Sequence, residues 1–175
     1  MFYHVNKTHF VYTVFSGLLG YSQVFAITES TAMNILIQKL HEDAILPQYG
    51  SADAAGADLC SVEEITIAPA ETKLVHTGLA MAIPQGFGGF IFARSGLATK
   101  RGLAPANKVG VIDADYRGEV MVALYNQSAE PQTVLKGERI AQMVFLPCPQ
   151  ATFEPCDSLD ETERGSGGFG STGRK

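Results

Sequence analysis

A chain of 175 residues is sized for one domain and can bury a core without disulfide or metal staples. Its 46% hydrophobic and 18% charged content describes an ordinary globule, and a net charge of −5 speaks against the basic stripe of a nucleic-acid binder. Any anionic ligand must be met by local cations or a metal, because the overall field repels it.

Residues 1–32 differ from the rest. The apolar run Phe10–Leu19 and then Val24-Phe25-Ala26 follow a weakly basic start with His4, Lys7 and His9. This has the pattern of a secretory signal, is too short to span a bilayer, and lacks the arginines of an organellar transit peptide. The other reading makes Met33 the true start and residues 1–32 an idle extension, because Asn34–Leu40 opens a clean first strand. The body favours the second reading and a cytoplasmic protein without membrane contact. Cys60, Cys148 and Cys156 are odd in number, widely spaced and free of any Cys-x-x-Cys pair, so they read as free thiols in a reducing compartment.

From Met33 onward, short apolar runs alternate with turn signals. The expected strands are Ile35–Leu40, Ala57–Cys60, Glu64–Ile67, Thr72–Ile83, Phe87–Ala93, Lys108–Ile112, Glu119–Asn126, Gln132–Val134 and Arg139–Pro147. Pro84-Gln-Gly86, Arg117-Gly118 and Lys136-Gly137 separate them. Many short strands at close spacing predict an all-β sandwich or barrel. Gly96–Leu103 is the one stretch with the making of a brief helix. The domain of residues 33–163 is followed by a tail, 164–175, rich in glycine at 165, 167, 168, 170 and 173. That composition does not pack and should stay mobile until it meets a ligand.

Two loops carry chemistry. Asp113-Ala-Asp115-Tyr116 reads as a hairpin bend between Lys108–Ile112 and Glu119–Tyr125, offering carboxylates and an aromatic ring on rigid strands. Arg94-Ser95-Gly96 combines a guanidinium fork, a hydroxyl and an approachable backbone, which suits a phosphate. Carboxylate and phosphate cradle together suggest metal-assisted phosphoryl chemistry. In the tail, Gly165 to Thr172 imitates a phosphate-binding loop, but its lysine is missing and no strand or helix flanks it, so that reading is rejected.

The chain resembles the homotrimeric deoxyuridine triphosphatases (dUTPases), whose fold is a β jelly roll. Five blocks match in order: Ala55-Gly-Ala-Asp58-Leu, Ala93-Arg-Ser-Gly-Leu-Ala98, Asn107 to Gly118, Lys136-Gly-Glu-Arg-Ile-Ala-Gln-Met143, and Arg164 to Gly173. Ala93 departs from the proline usual before Arg-Ser-Gly, which loosens that loop slightly.

The resemblance implies hydrolysis of dUTP to dUMP and pyrophosphate with Mg²⁺. It makes Asp113 the general base for a water attacking the α-phosphorus, a carboxylate being an ordinary proton acceptor at neutral pH. Tyr116 would lie under the deoxyribose, where a 2′-hydroxyl would clash. Asn107 and the backbone of Gly110, Val111 and Ile112 would read the uracil edge, and Met121 would wall the pocket or simply fill core. Arg94, Ser95, Gly96 and Gln142 would contact phosphates. Asp58 would hold a water on the magnesium, or merely cap a turn after Gly56. Asp115 is expected to bond locally within the bend. The tail would close as a lid, with Phe169 on uracil and Arg164, Ser171 and Thr172 on the γ-phosphate. Each pocket would be a composite of three subunits.

Three rival readings make other demands on the sequence, one of them an exported β-sandwich module that rests only on residues 1–26. A deoxycytidine triphosphate deaminase of the same fold would need a glutamate where Ala123 stands and a Gly-Trp pair in place of Asp115-Tyr116. A non-catalytic scaffold that binds a regulator should have lost Asp113 or Phe169, and both are present.

Overall fold

The computed structural model describes residues 10–12, 25–27 and 33–168, the first two stretches as backbone only. The readings placed on the remainder of residues 1–32, and on Phe169, Ser171 and Thr172, lie outside the described residues.

Strands β1 (Phe10–Tyr12) and β2 (Phe25–Ile27) pair antiparallel with each other. The body continues through β3 (Leu36–Lys39), β4 (Gln48–Tyr49), β5 (Ala57–Cys60), β6 (Ile65–Ile67), β7 (Thr72–Ala82) and β8 (Phe87–Ala93). The one helix among the described residues, the short α1 (Ser95–Arg101), precedes β9 (Leu103–Pro105), β10 (Gly110–Ile112), β11 (Glu119–Asn126), β12 (Gln132–Val134) and β13 (Arg139–Pro147). The expected all-β class holds: antiparallel sheets in the order β10-β8-β13-β5-β4 and β3-β7-β11-β9, with the pair β12-β6 beside them, make a jelly-roll architecture.

The core explains the pairing. Along β11 every second residue is buried, placing Val120, Val122, Leu124 and Asn126 inward. They meet Val75 and Leu79 of β7, and from the other sheet Leu59, Ile91, Ile140 and Met143, in one cluster. Asn126, fully buried, satisfies its amide completely: Nδ2 donates to the carbonyls of Ile67 at 2.9 Å and Glu130 at 2.8 Å, while Oδ1 accepts from Ser128.

Two expectations need correction, and two strands were not expected. The bend at Asp113 does not close a hairpin, because β10 pairs with β8 in one sheet while β11 pairs with β7 and β9 in the other. The segment is a crossing between layers, which adjacency in sequence cannot distinguish from a hairpin. The helix ends earlier than expected: Gly102, at φ 68°, adopts the left-handed conformation and its N–H caps the carbonyls of Ala98 and Leu97. Leu103 is then free to start β9, an unexpected strand that pairs with the end of β11. The two-residue β4 was also unexpected.

Candidate active site

Strand register assembles the first half of the site. Gln142 of β13 stands opposite Asp58 of β5 on one side and Phe92 of β8 on the other. Asp58 and Gln142 are therefore cross-strand neighbours beside the end of β8, from which Arg94 leaves. The Gln142 amide donates to the Ala93 carbonyl at 3.0 Å, fixing the side chain across the loop entrance. Gly56 is small for a reason: a Cβ there would lie 3.1 Å from Gln142 Oε1. Asp58, Arg94, Ser95, Gly96 and Gln142 all line one open cavity of about 620 Å³.

That cavity has a strong internal ion pair. Arg94 Nε donates to Asp58 Oδ1 at 2.8 Å and Arg139 Nη1 to Asp58 Oδ2 at 3.2 Å, so two guanidinium groups share one carboxylate. Arg139 also borders the cavity with Lys100, Arg101 and Glu138, none of which was singled out from the sequence. Arg101 is committed elsewhere, to Glu138 at 2.5 Å and to Gln132 at 3.0 Å. The local surplus of cations answers the anion problem set by the acidic chain. Nearby, Cys60 packs into the core, and burial pushes its thiol above the ordinary range.

The second half lies at the bend. Val111, Ile112, Asp113 and Asp115 border a larger cavity of about 1000 Å³ with Arg117, Gln85 and Cys148. Strand β10 is at the edge of its sheet, paired only with β8. Alternate backbone N–H and C=O groups on its open side have no ladder partner among the described residues. Asp113 follows directly, and no hydrogen bond or ion pair among the described residues ties its carboxylate. The bend itself is held by Tyr116 N–H donating to the Asp113 carbonyl at 3.2 Å, and by Arg117 donating to the carbonyls of Ala114 at 2.7 Å and Tyr116 at 2.8 Å. Arg117 thus performs the local bonding expected of Asp115, whose carboxylate is exposed.

Tyr116 folds back over Gly118, where an added Cβ would come within 2.6 Å of the phenol Cζ, and its hydroxyl donates to the Glu119 carbonyl at 3.0 Å. Asn107 is exposed on the turn before β10, a turn tightened by Lys108 at φ 66°. Gly110 is buried beneath it, and a Cβ there would lie 3.2 Å from Ile91 and 3.4 Å from Asn107 Nδ2. Met121 is half-buried on β11, opposite His76. Arg164 is exposed and donates to the Gly167 carbonyl at 3.0 Å, away from both cavities.

One chain therefore brings the expected residues together in two groups, not one. The phosphate-loop group and the Asp113 group border different cavities. Among the described residues no cluster of three or more His, Cys, Asp or Glu could cage a metal. A lone Asp58 carboxylate suits a hard cation that keeps its waters and takes its other ligands from a phosphate chain.

Comparison with known proteins identifies the family. The dUTPase family model matches residues 42–173. The deoxyuridine 5'-triphosphate nucleotidohydrolase of Desulfitobacterium hafniense is 58% identical over 131 residues, 73% of this chain and 87% of that protein. Its counterpart in Nautilia profundicola is 49% identical over 142 residues, 81% of this chain and all of that protein. Among solved structures, the dUTPase of Staphylococcus bacteriophage 80alpha with dUpNHpp superposes with a TM-score of 0.72 at 27% identity, covering 80% of this chain and 98% of that one. With most of its β domain matched by the family model and by relatives near half-identical, the chain belongs to the dUTPase family.

Proposed function

We propose that this enzyme hydrolyses dUTP to dUMP and pyrophosphate, removing a source of uracil in DNA and supplying a thymidylate precursor. The observation that carries the reading is the open edge of β10 running directly into the Asp113 carboxylate, which has no partner among the described residues. An edge strand offers donors and acceptors in the fixed alternation that a uracil edge can match, and Asn107 adds an amide. Cytosine presents the reverse pattern and would strand polar groups, which disfavours a deaminase that must bind dCTP.

Asp113 acts as general base on the water that attacks the α-phosphorus. Tyr116 packs beneath the deoxyribose, and Met121 closes the wall beside it. Arg94, Ser95, Gly96 and Gln142 grip the phosphates, positioning them for in-line attack. Mg²⁺ carried by the triphosphate would neutralise phosphate charge, and Asp58 would hold it through water. Residues 164–175 form the lid over the β domain of residues 33–163, with Arg164, Ser171 and Thr172 on the γ-phosphate and Phe169 on uracil. The division of one chain into two half-sites supports a homotrimer with composite pockets, in which a neighbour supplies the missing half. No described helix is long and apolar enough to cross a membrane. The free thiols of Cys60, Cys148 and Cys156 support a cytoplasmic enzyme.

The test is pyrophosphate yield across dUTP, dTTP, dCTP and UTP, with and without Mg²⁺. Strong release from dUTP alone is expected. Equal release from UTP or dCTP, or ammonia from dCTP, would overturn the assignment.

A further inference from the structure

The ladder between β11 and β7 breaks where the sugar-side aromatic is anchored. Glu119 pairs with Ala80, but Met121 pairs with His76, so Thr77, Gly78 and Leu79 bulge opposite Val120 alone. Gly78 sits at φ 66°, and a Cβ there would lie 2.7 Å from the His41 Cβ, so no other residue fits this bulge without displacing its neighbours. The Glu119 carboxylate fills the gap that the missing ladder bonds leave. Its Oε1 accepts the Gly78 N–H at 2.7 Å, and its Oε2 meets His76 Nδ1 at 2.9 Å. Thr77 reinforces the junction, its hydroxyl donating to the Val120 carbonyl at 2.5 Å. The backbone carbonyl of the same Glu119 accepts the Tyr116 hydroxyl at 3.0 Å.

We infer that Glu119 is a positioning residue for sugar discrimination: its carboxylate, clamped by Gly78 and His76, fixes the backbone carbonyl that holds the Tyr116 ring over Gly118. The inference rests on the reading of Tyr116 as the floor beneath the deoxyribose. A floor rejects a 2′-hydroxyl only if it cannot retreat, and an extra hydroxyl is otherwise weakly discriminated. Tyr116 is exposed on the bend, so packing alone does not hold it. Two constraints do: the bare backbone of Gly118 below, and the tether to Glu119 at its tip. Removing the carboxylate leaves the tether's acceptor in place but frees the main chain that carries it.

The test compares kcat/KM for dUTP and UTP in Glu119→Ala, Glu119→Gln, Tyr116→Phe and Tyr116→Ala, with melting temperature as a control on folding. Glu119→Ala should lower the dUTP preference about ten-fold through a higher KM for dUTP and better use of UTP, with kcat for dUTP little changed. Glu119→Gln, which still offers an oxygen to the Gly78 N–H, should restore most of the preference. Tyr116→Phe should lower it as Glu119→Ala does, and reports on the tether even if Glu119→Ala does not fold. An unaltered preference in folded Glu119→Ala, or in Tyr116→Phe, overturns the inference. If Tyr116→Ala alone loses the preference, the floor reading stands and the positioning role falls; if Tyr116→Ala keeps it, the floor reading falls first.

Discussion

The two half-sites are built in opposite ways. At the bend, Tyr116 and Arg117 are fixed by bonds to backbone carbonyls, and the Asp113 carboxylate is left with no partner among the described residues. In the other cavity Asp58, Arg94 and Arg139 are already spent on each other, with the carboxylate between the two guanidinium groups. The first is preorganised, with the proposed base unpaired among the described residues. The second must exchange partners before Arg94 can serve a phosphate. Rigid hydrogen bonds to backbone suit orientation, whereas an ion pair at a cavity wall can be traded for a stronger anion.

The sharpest way to break the comparison is at the base. Asp113→Asn should lower kcat for dUTP by about 10²–10⁴-fold while leaving binding of a non-hydrolysable analogue largely intact, because only the proton acceptor is lost. Undiminished kcat would remove Asp113 from the role. The same variant tests the division into half-sites. Mixing Asp113→Asn with Arg94→Ala chains, each inactive alone, should restore activity to about a quarter of the sites if a pocket draws these groups from different subunits of a ring. No recovery after unfolding and refolding the mixture would place both groups in one subunit's pocket.

Next in size is the tail. Residues 151–166 are exposed throughout and contribute nothing to the buried core. Deleting residues 164–175 should therefore cut kcat on the order of 10²-fold, while the melting temperature barely moves. A parallel loss of stability and rate would show that the segment is part of the fold and not a lid.

A smaller effect is expected at Asp58. Asn in its place keeps the shape and one acceptor for Arg94 but discards the charge. The concentration of Mg²⁺ giving half-maximal rate should rise about 10-fold, with kcat at saturating metal recovering most of the loss. An unchanged metal requirement would leave Asp58 as an organiser of Arg94 and Arg139 only.

How much of this was readable beforehand depends on the range of the interactions involved. The runs Phe87–Ala93, Glu119–Asn126 and Arg139–Pro147 are strands with the same bounds in the structure. Both loops bearing the candidate residues were visible as motifs. The Asp58 ion pairs were not, because their members stand 36 and 81 residues apart and meet only through strand register. Sheet membership was equally hidden: nothing local to Asp113–Gly118 tells whether the chain turns back on itself or crosses to the facing layer. Nothing local marks Glu119 in the sequence, because the Gly78 N–H that its carboxylate accepts lies 41 residues away at a bulge in the facing strand.

The smallest expected effect concerns His76, beside the bend's anchor. Its hydrogen bond to Glu119 holds the imidazolium above the usual histidine range, against a lesser pull from burial, and Glu63 adds its negative charge. Glu63 also accepts the His76 backbone N–H at 3.1 Å, and His41 borders the same small cavity. A group whose pKa is higher in the folded state binds its proton more tightly there, so the charged pair stabilises the fold fully below the unfolded value of about 6.5. That stabilisation disappears as pH rises through the raised folded value, and solvent screening of the half-exposed ring keeps it modest. The melting temperature should thus decline slightly over that window, and His76→Gln should flatten the decline. If the tether to Tyr116 depends on the clamp as inferred, the dUTP preference should soften over the same pH interval in the parent chain and not in His76→Gln. A melting temperature that falls identically in both proteins would assign the titration to a group other than His76.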